Sequence, residues 1–146
     1  MTAPRRPSIL TELMARSSTS SSFIDQSIKP TVVIAMLYLT DPTPDIDRLR
    51  EVLGKRLLQI PRFSSIFRLD KDNKVYEHRI PNEDVDLEHH IQTIDGKGTF
   101  NSDDISKMIS TASQEWWDAS LPLWNITLVT NTADGKSVLF CKIDHT

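Results

Sequence analysis

Cysteine is almost missing from the 146 residues: Cys141 stands alone. A lone cysteine excludes an internal disulfide framework and every zinc pattern built on cysteine pairs. It suits a reducing compartment, so a cytoplasmic protein is expected. Basic clusters are also missing. The 17 Lys and Arg are scattered against 20 Asp and Glu, for a formal net charge of −3, without the basic stripe that a nucleic-acid partner needs. Long apolar runs are absent too. The most apolar stretch, VVIAMLYL at 32–39, is far too short to span a bilayer and is rich in strand formers. The opening MTAPRRPSILTELMARSSTSSS lacks an apolar core of signal-peptide length. Residues 1–22 read as a solvated, disordered leader and residues 23–146 as one domain with no internal repeat.

What is present has the profile of a soluble globular domain, with 38% hydrophobic and 25% charged residues. After the strand at 32–39, Thr43 is the expected N-cap and Pro44 the first residue of a helix over about 45–59. Ile46, Leu49, Leu53, Leu57 and Ile60 share its apolar face, and Pro61 ends it. Strand-like pieces follow at 64–69, 74–80 and 85–94, the first two joined by DKDN as a hairpin, and IDGKGTF reads as a loop. Asn101 caps a second helix with Asp104 at its N3 position, and Ile105, Met108, Ile109, Ala112 and Trp116 share a face. WNITLVTN and SVLFCKID then read as antiparallel strands joined around Asp134-Gly135. The order of elements predicts a mixed α/β (α+β) layer, with helices covering a largely antiparallel sheet.

The residues able to do chemistry are few. Alternation along the last strand puts Leu139, Cys141, Ile143 and His145 on one side and Val138, Phe140, Lys142 and Asp144 on the other. His145 is either an ordinary residue at a chain end or the start of a motif. A histidine there, with an ordinary pKa of roughly 6.5, is able to take a proton from a hydroxyl at neutral pH. His89 and His90 are adjacent in an expected strand, so they point to opposite faces and no metal site is expected. His78 is expected to be exposed. Trp116, Trp117 and Trp124 read as core, Cys141 as a small apolar core residue, and the sequon at Asn125-Ile126-Thr127 as a chance match inside a strand.

Four stretches, in order, carry a family resemblance: IPRFSSIF, DLEHHI, WWDASLPLWNITLV and VLFCKIDHT. They resemble the N-terminal portion of the wax ester synthase/diacylglycerol acyltransferase family, within the chloramphenicol acetyltransferase-like superfamily. That family shows a PRFR segment after its first helix, an Asp followed four residues later by His, a PLD…PLW segment, and a strand running into HHxxxDG. The matching positions are Pro61-Arg62-Phe63, Asp86 with His90, Asp118 with Pro122-Leu123-Trp124, and Asp144-His145. Asp144 stands where the family has its first histidine, and Thr146 falls where the first spacer residue would be. On this reading residues 23–146 are a partial N-terminal acyltransferase domain ending inside the motif.

The resemblance implies an acyl-CoA-dependent O-acyltransferase of triacylglycerol or wax ester biosynthesis. Its acceptor would be a long-chain alcohol or diacylglycerol, with His145 as catalytic general base, acyl-CoA as co-substrate and no bound cofactor. The fold implied is half of a chloramphenicol acetyltransferase-like architecture with an active-site tunnel between two α/β halves. Peripheral membrane or lipid-droplet association, or attachment to the endoplasmic reticulum through segments outside this chain, fits such a role. His90 is expected to be structural support. Two other readings stand beside it: a related condensation-type enzyme with a different acceptor, and a non-catalytic chain that binds lipid or a partner.

Overall fold

In the computed structural model, which describes residues 27–28, 32–72 and 74–144, short strands alternate with helices. Their order is β1 (Ser27–Ile28), β2 (Val32–Leu39), α1 (Ile46–Leu57), a 3-10 turn at Pro61–Ser64, β3 (Ser65–Leu69) and β4 (Val75–Arg79). A second 3-10 turn at Asn82–Asp84 leads to α2 (Leu87–His90), β5 (Ile91–Phe100), α3 (Ser102–Gln114), β6 (Trp117–Asp118), β7 (Trp124–Thr132) and β8 (Ser137–Asp144). The leader expected at 1–22 lies outside the described residues.

The main sheet has strand order β2-β8-β7-β5, in which β2 and β7 both run antiparallel to β8 while β5 runs parallel to β7. The expected mixed α/β, largely antiparallel sheet is therefore present. The β7–β8 hairpin turns at Gly135, whose φ of +72° suits a residue without Cβ. β3 and β4 form the predicted hairpin as a separate two-stranded sheet.

The apolar face of α1 packs on the sheet as its spacing predicts: Ile46, Leu49, Leu53 and Leu57 lie against Ile91, Trp124, Ile126, Leu128 and Leu139. Ile60 is exposed instead, because the helix stops at Leu57 and Pro61 opens a 3-10 turn. The cap is Asp45 rather than Thr43. Its carboxylate accepts from the backbone N–H of Asp47 and Arg48, two donors that the helix start leaves unmatched. α3 begins as expected, with Asn101 and Asp104 exchanging side-chain and backbone hydrogen bonds in a capping box. It ends at Gln114, so Trp116 falls beyond it and is 53% exposed, whereas Trp117 and Trp124 are core.

The segment 85–94 departs most from expectation. Asp86 accepts from the N–H groups of Glu88 and His89 and starts a helical turn, α2, before the strand begins at Ile91. His89 and His90 are thus neighbours on a turn, their rings 5.1 Å apart at 87°, rather than on opposite faces of a strand. The IDGKGTF stretch belongs to β5, which reaches Phe100 through a register shift after Asp95. Lys97 and Gly98 have positive φ within that irregularity, which gives the sequence its loop-like composition.

Candidate active site

The four stretches that carry the resemblance meet around one side chain, Trp124, the first residue of β7. Its indole Nε1–H donates to the Phe63 carbonyl at 2.9 Å, and the Phe63 ring meets it edge-on at 5.4 Å. His90 stacks on it at 4.6 Å with an interplanar angle of 17°, and His90 Nδ1 lies 2.7 Å from the Trp124 carbonyl oxygen. Next to Trp124, the Leu123 carbonyl accepts from the Asp144 backbone N–H at 3.0 Å. Arg62 Nη2 then reaches Asp144 Oδ1 at 3.9 Å, closing the connection between the first and last stretches.

His90 is 2% exposed, and burial lowers its pKa below the ordinary 6.5, partly opposed by the bond to the Trp124 carbonyl. A neutral, stacked, buried imidazole serves packing, which fits the expected supporting role. Asp86 acts on it through the chain, its carbonyl accepting from the His90 N–H at 3.0 Å, and through its charge, which opposes the lowering of the His90 pKa. Asp118 stays apart from this cluster. Its carboxylate accepts from the Ser120 hydroxyl and N–H, which lower its pKa and fix the turn before Pro122.

β8 is the route from this cluster to His145, which itself lies outside the described residues. The strand is hydrogen-bonded on both sides and ends at a buried Asp144, so the backbone leading to position 145 is well held. Its alternation follows the sequence reading. Leu139, Cys141 and Ile143 pack with α1, whereas Phe140 and Lys142 line an open cleft under α3. Cys141 is half-buried and burial raises its thiol pKa, which disfavours the nucleophilic thiolate. His78 is half-buried against Tyr76 rather than exposed. Asn125 of the sequon pairs with Lys142 in the middle of the sheet.

Arg62 and Lys142 were not singled out from sequence as site residues. Lys142 is 2% exposed; its Nζ donates to the Glu115 carbonyl at 3.1 Å and lies 4.2 Å from the Trp117 ring centre. The available signal was a lysine inside an otherwise apolar strand. Arg62 carried none beyond its place in the PRF triplet.

Comparison with known proteins gives a consistent picture. The family model described as the wax ester synthase/diacylglycerol acyltransferase catalytic domain matches residues 17–146. A protein of Mycobacterium tuberculosis named a probable diacyglycerol O-acyltransferase is 25% identical over 111 residues, 76% of this chain and 24% of that protein. The chain thus spans about a quarter of the length of such relatives. Among solved structures, the wax ester synthase/diacylglycerol acyltransferase of Marinobacter aquaeolei VT8 superposes with a TM-score of 0.63 at 18% identity, covering 99% of this chain and 33% of that one. The first condensation domain of the calcium-dependent antibiotic synthetase gives 0.63 at 15% identity, covering 78% and 27%. These likenesses show that the chain shares its fold with part of that condensation domain and part of that wax ester synthase/diacylglycerol acyltransferase. With the family model spanning nearly the whole chain and the motif segments joined in space, this chain belongs to the wax ester synthase/diacylglycerol acyltransferase catalytic-domain family.

Proposed function

We propose that the protein formed with this chain is an acyl-CoA-dependent O-acyltransferase that makes wax esters or triacylglycerol, and that His145 is its general base. The observation that carries this reading is the convergence of the four family-like stretches on Trp124 and on the strand end that leads into position 145. That cluster provides a rigid base for a reactive side chain, as a catalytic group requires.

In the proposed reaction His145 takes the proton from the acceptor hydroxyl as its oxygen attacks the thioester carbonyl. The tetrahedral oxyanion collapses, the C–S bond breaks, and CoA leaves with the proton that His145 returns. No acyl-enzyme is required. The raised pKa of Cys141 supports leaving the thiol out of the chemistry. Acyl-CoA is a co-substrate, no resident cofactor is invoked, and the hydrophobic acceptor makes contact with a membrane or lipid-droplet surface part of the proposal.

The test assays the complete protein with acyl-CoA against a long-chain alcohol, diacylglycerol and an aminoacyl-carrier substrate. Ester formation with either lipid acceptor is expected. Activity confined to the carrier substrate would transfer the assignment to condensation chemistry, to which the fold likeness also extends.

A further inference from the structure

Strand β2 lies at the edge of the main sheet, and none of its residues, VVIAMLYL, carries a charge. Val33, Ala35 and Leu37 pair with Ile143, Cys141 and Leu139, and directly paired residues point to the same face, here the one on which α1 packs. α1 leaves this row of β2 uncovered. Val33 is 44% exposed and Leu37 56%, with Ala35 exposed between them. An uncharged apolar edge strand is a liability that folded proteins manage by covering it with a helix or a loop.

A segment suited to that task precedes the fold. Residues 1–22 are polar overall, but Ile9, Leu10, Leu13 and Met14 recur at the spacing of one helical face, with Thr11, Glu12, Ala15 and Arg16 on the other. Ser8 is a suitable N-cap, and Glu12 and Arg16 form a favourable i, i+4 pair. A helix over residues 8–16 is about 13 Å long, which matches the rise of about 13 Å from Val33 to Leu37. The tether also fits. Ser27 and Ile28 pair with Asp118 and Trp117, and the Trp117–Leu123 cluster packs against Val32, the first residue of β2. The chain therefore enters the fold beside the start of β2, and residues 17–26 can reach up to about 33 Å from there.

We propose that residues 8–16 dock as an amphipathic helix on the Val33, Ala35 and Leu37 row, extending the α1 layer over the edge of the sheet. A helix this short is marginal by itself in water. It forms only against the sheet, which accords with the solvated character of the leader read in isolation. Residues 8–16 precede the family-matched residues 17–146, so the proposal is independent of the acyl-transfer reading.

Methyl NMR and amide hydrogen exchange on the full chain test this directly. Cross-peaks are expected between the methyl groups of Leu13 and Leu37, and the amides of residues 12–16 should exchange at least about tenfold more slowly than in an unstructured chain. Leu13→Asp and Leu37→Asp should each remove that protection. Ala15→Glu, on the outer face of the helix, should keep it. Both aspartates enter positions that the core does not use, Leu13 before the fold and Leu37 on its exposed edge, so the sheet should persist in each variant. The proposal fails if the parent shows neither the cross-peaks nor the protection, or if Leu13→Asp leaves the protection in place. Protection that rises with protein concentration would assign the β2 row to a second copy of the chain and overturn the proposal.

Discussion

His90 and Trp124 are joined twice, ring to ring at 4.6 Å and through Nδ1 to the Trp124 carbonyl oxygen at 2.7 Å. A carbonyl only accepts, so Nδ1 carries the hydrogen and the neutral imidazole has an unprotonated Nε2. Burial lowers the pKa from 6.5, so the folded state resists protonation in a range where the unfolded chain accepts it. The unfolded state then binds more protons, and stability rises with pH across that interval. The contribution is complete above the unfolded value of about 6.5 and is lost as pH falls below it, levelling off at the lower folded pKa. Urea midpoints measured between about pH 7.5 and pH 5 should therefore fall more steeply for the parent than for His90→Phe, which keeps a stacked ring but cannot titrate. Equal slopes would show that His90 is not held neutral.

The start of α3 allows a cleaner test of local energetics. Asn101 Oδ1 accepts from the N–H groups of Asp103 and Asp104 at 3.0 and 3.2 Å, and Asp104 Oδ2 accepts from the Asn101 N–H at 2.9 Å. Asn101→Ala should destabilise the protein by about 1 kcal/mol, whereas Asn101→Gly should cost only about a few tenths, since Gly is itself a tolerated cap. Chemical denaturation resolves the two. Similar losses for both would show that the side-chain bonds contribute little.

Gly96 sits where β5 leaves register with β7, and a Cβ there would lie 2.6 Å from the Thr130 carbonyl oxygen and 2.7 Å from that of Asn131. Backbone atoms of a paired strand cannot yield as a side-chain tip does. Gly96→Ala should therefore cost about 1–3 kcal/mol, the usual penalty of overpacking. Gly54 is the contrast: its Cβ would meet the end of the Leu87 side chain, which can rotate away. A smaller loss for Gly54→Ala than for Gly96→Ala in thermal unfolding checks the distinction.

The strands and helices with clear periodicity were legible from sequence. β2, the face of α1, the α3 capping box and the β7–β8 hairpin all follow from spacing and turn chemistry. What escaped was set by competition at short range. Asp86 turns VDLEHH into a cap and one helical turn where apolar alternation suggested strand, and the tertiary pairing of β5 with β7 extends a strand through Lys97 and Gly98. Parallel pairing depends on a partner over thirty positions away, Ile91 with Ile126, so no local pattern announces it. The site was legible as four separate motifs. Their joint dependence on Trp124 was not, because a tryptophan at the start of an apolar strand reads equally as core.

The decisive variant of the catalytic reading is His145→Ala in the complete protein. Removing a general base costs on the order of a hundredfold to ten-thousandfold in rate, since the acceptor hydroxyl must then lose its proton unaided. Acyl-CoA binding should survive, which a spectroscopic titration can separate from turnover. Asp144→Ala is the graded control: it removes the buried carboxylate facing Arg62 but leaves the backbone bond from its N–H to Leu123. Arg62 is partly exposed and can be resolvated, but the buried Lys142 also loses the Asp144 charge, so activity should fall by a smaller factor than for His145→Ala and stability by on the order of 1–3 kcal/mol. Cys141→Ala should keep appreciable turnover, because a half-buried thiol whose pKa is raised is a poor nucleophile. The 146-residue chain assayed alone should turn over little, since it spans about a quarter of the length of its relatives. If Cys141→Ala were inactive and His145→Ala near normal, direct transfer would give way to an acyl-cysteine route.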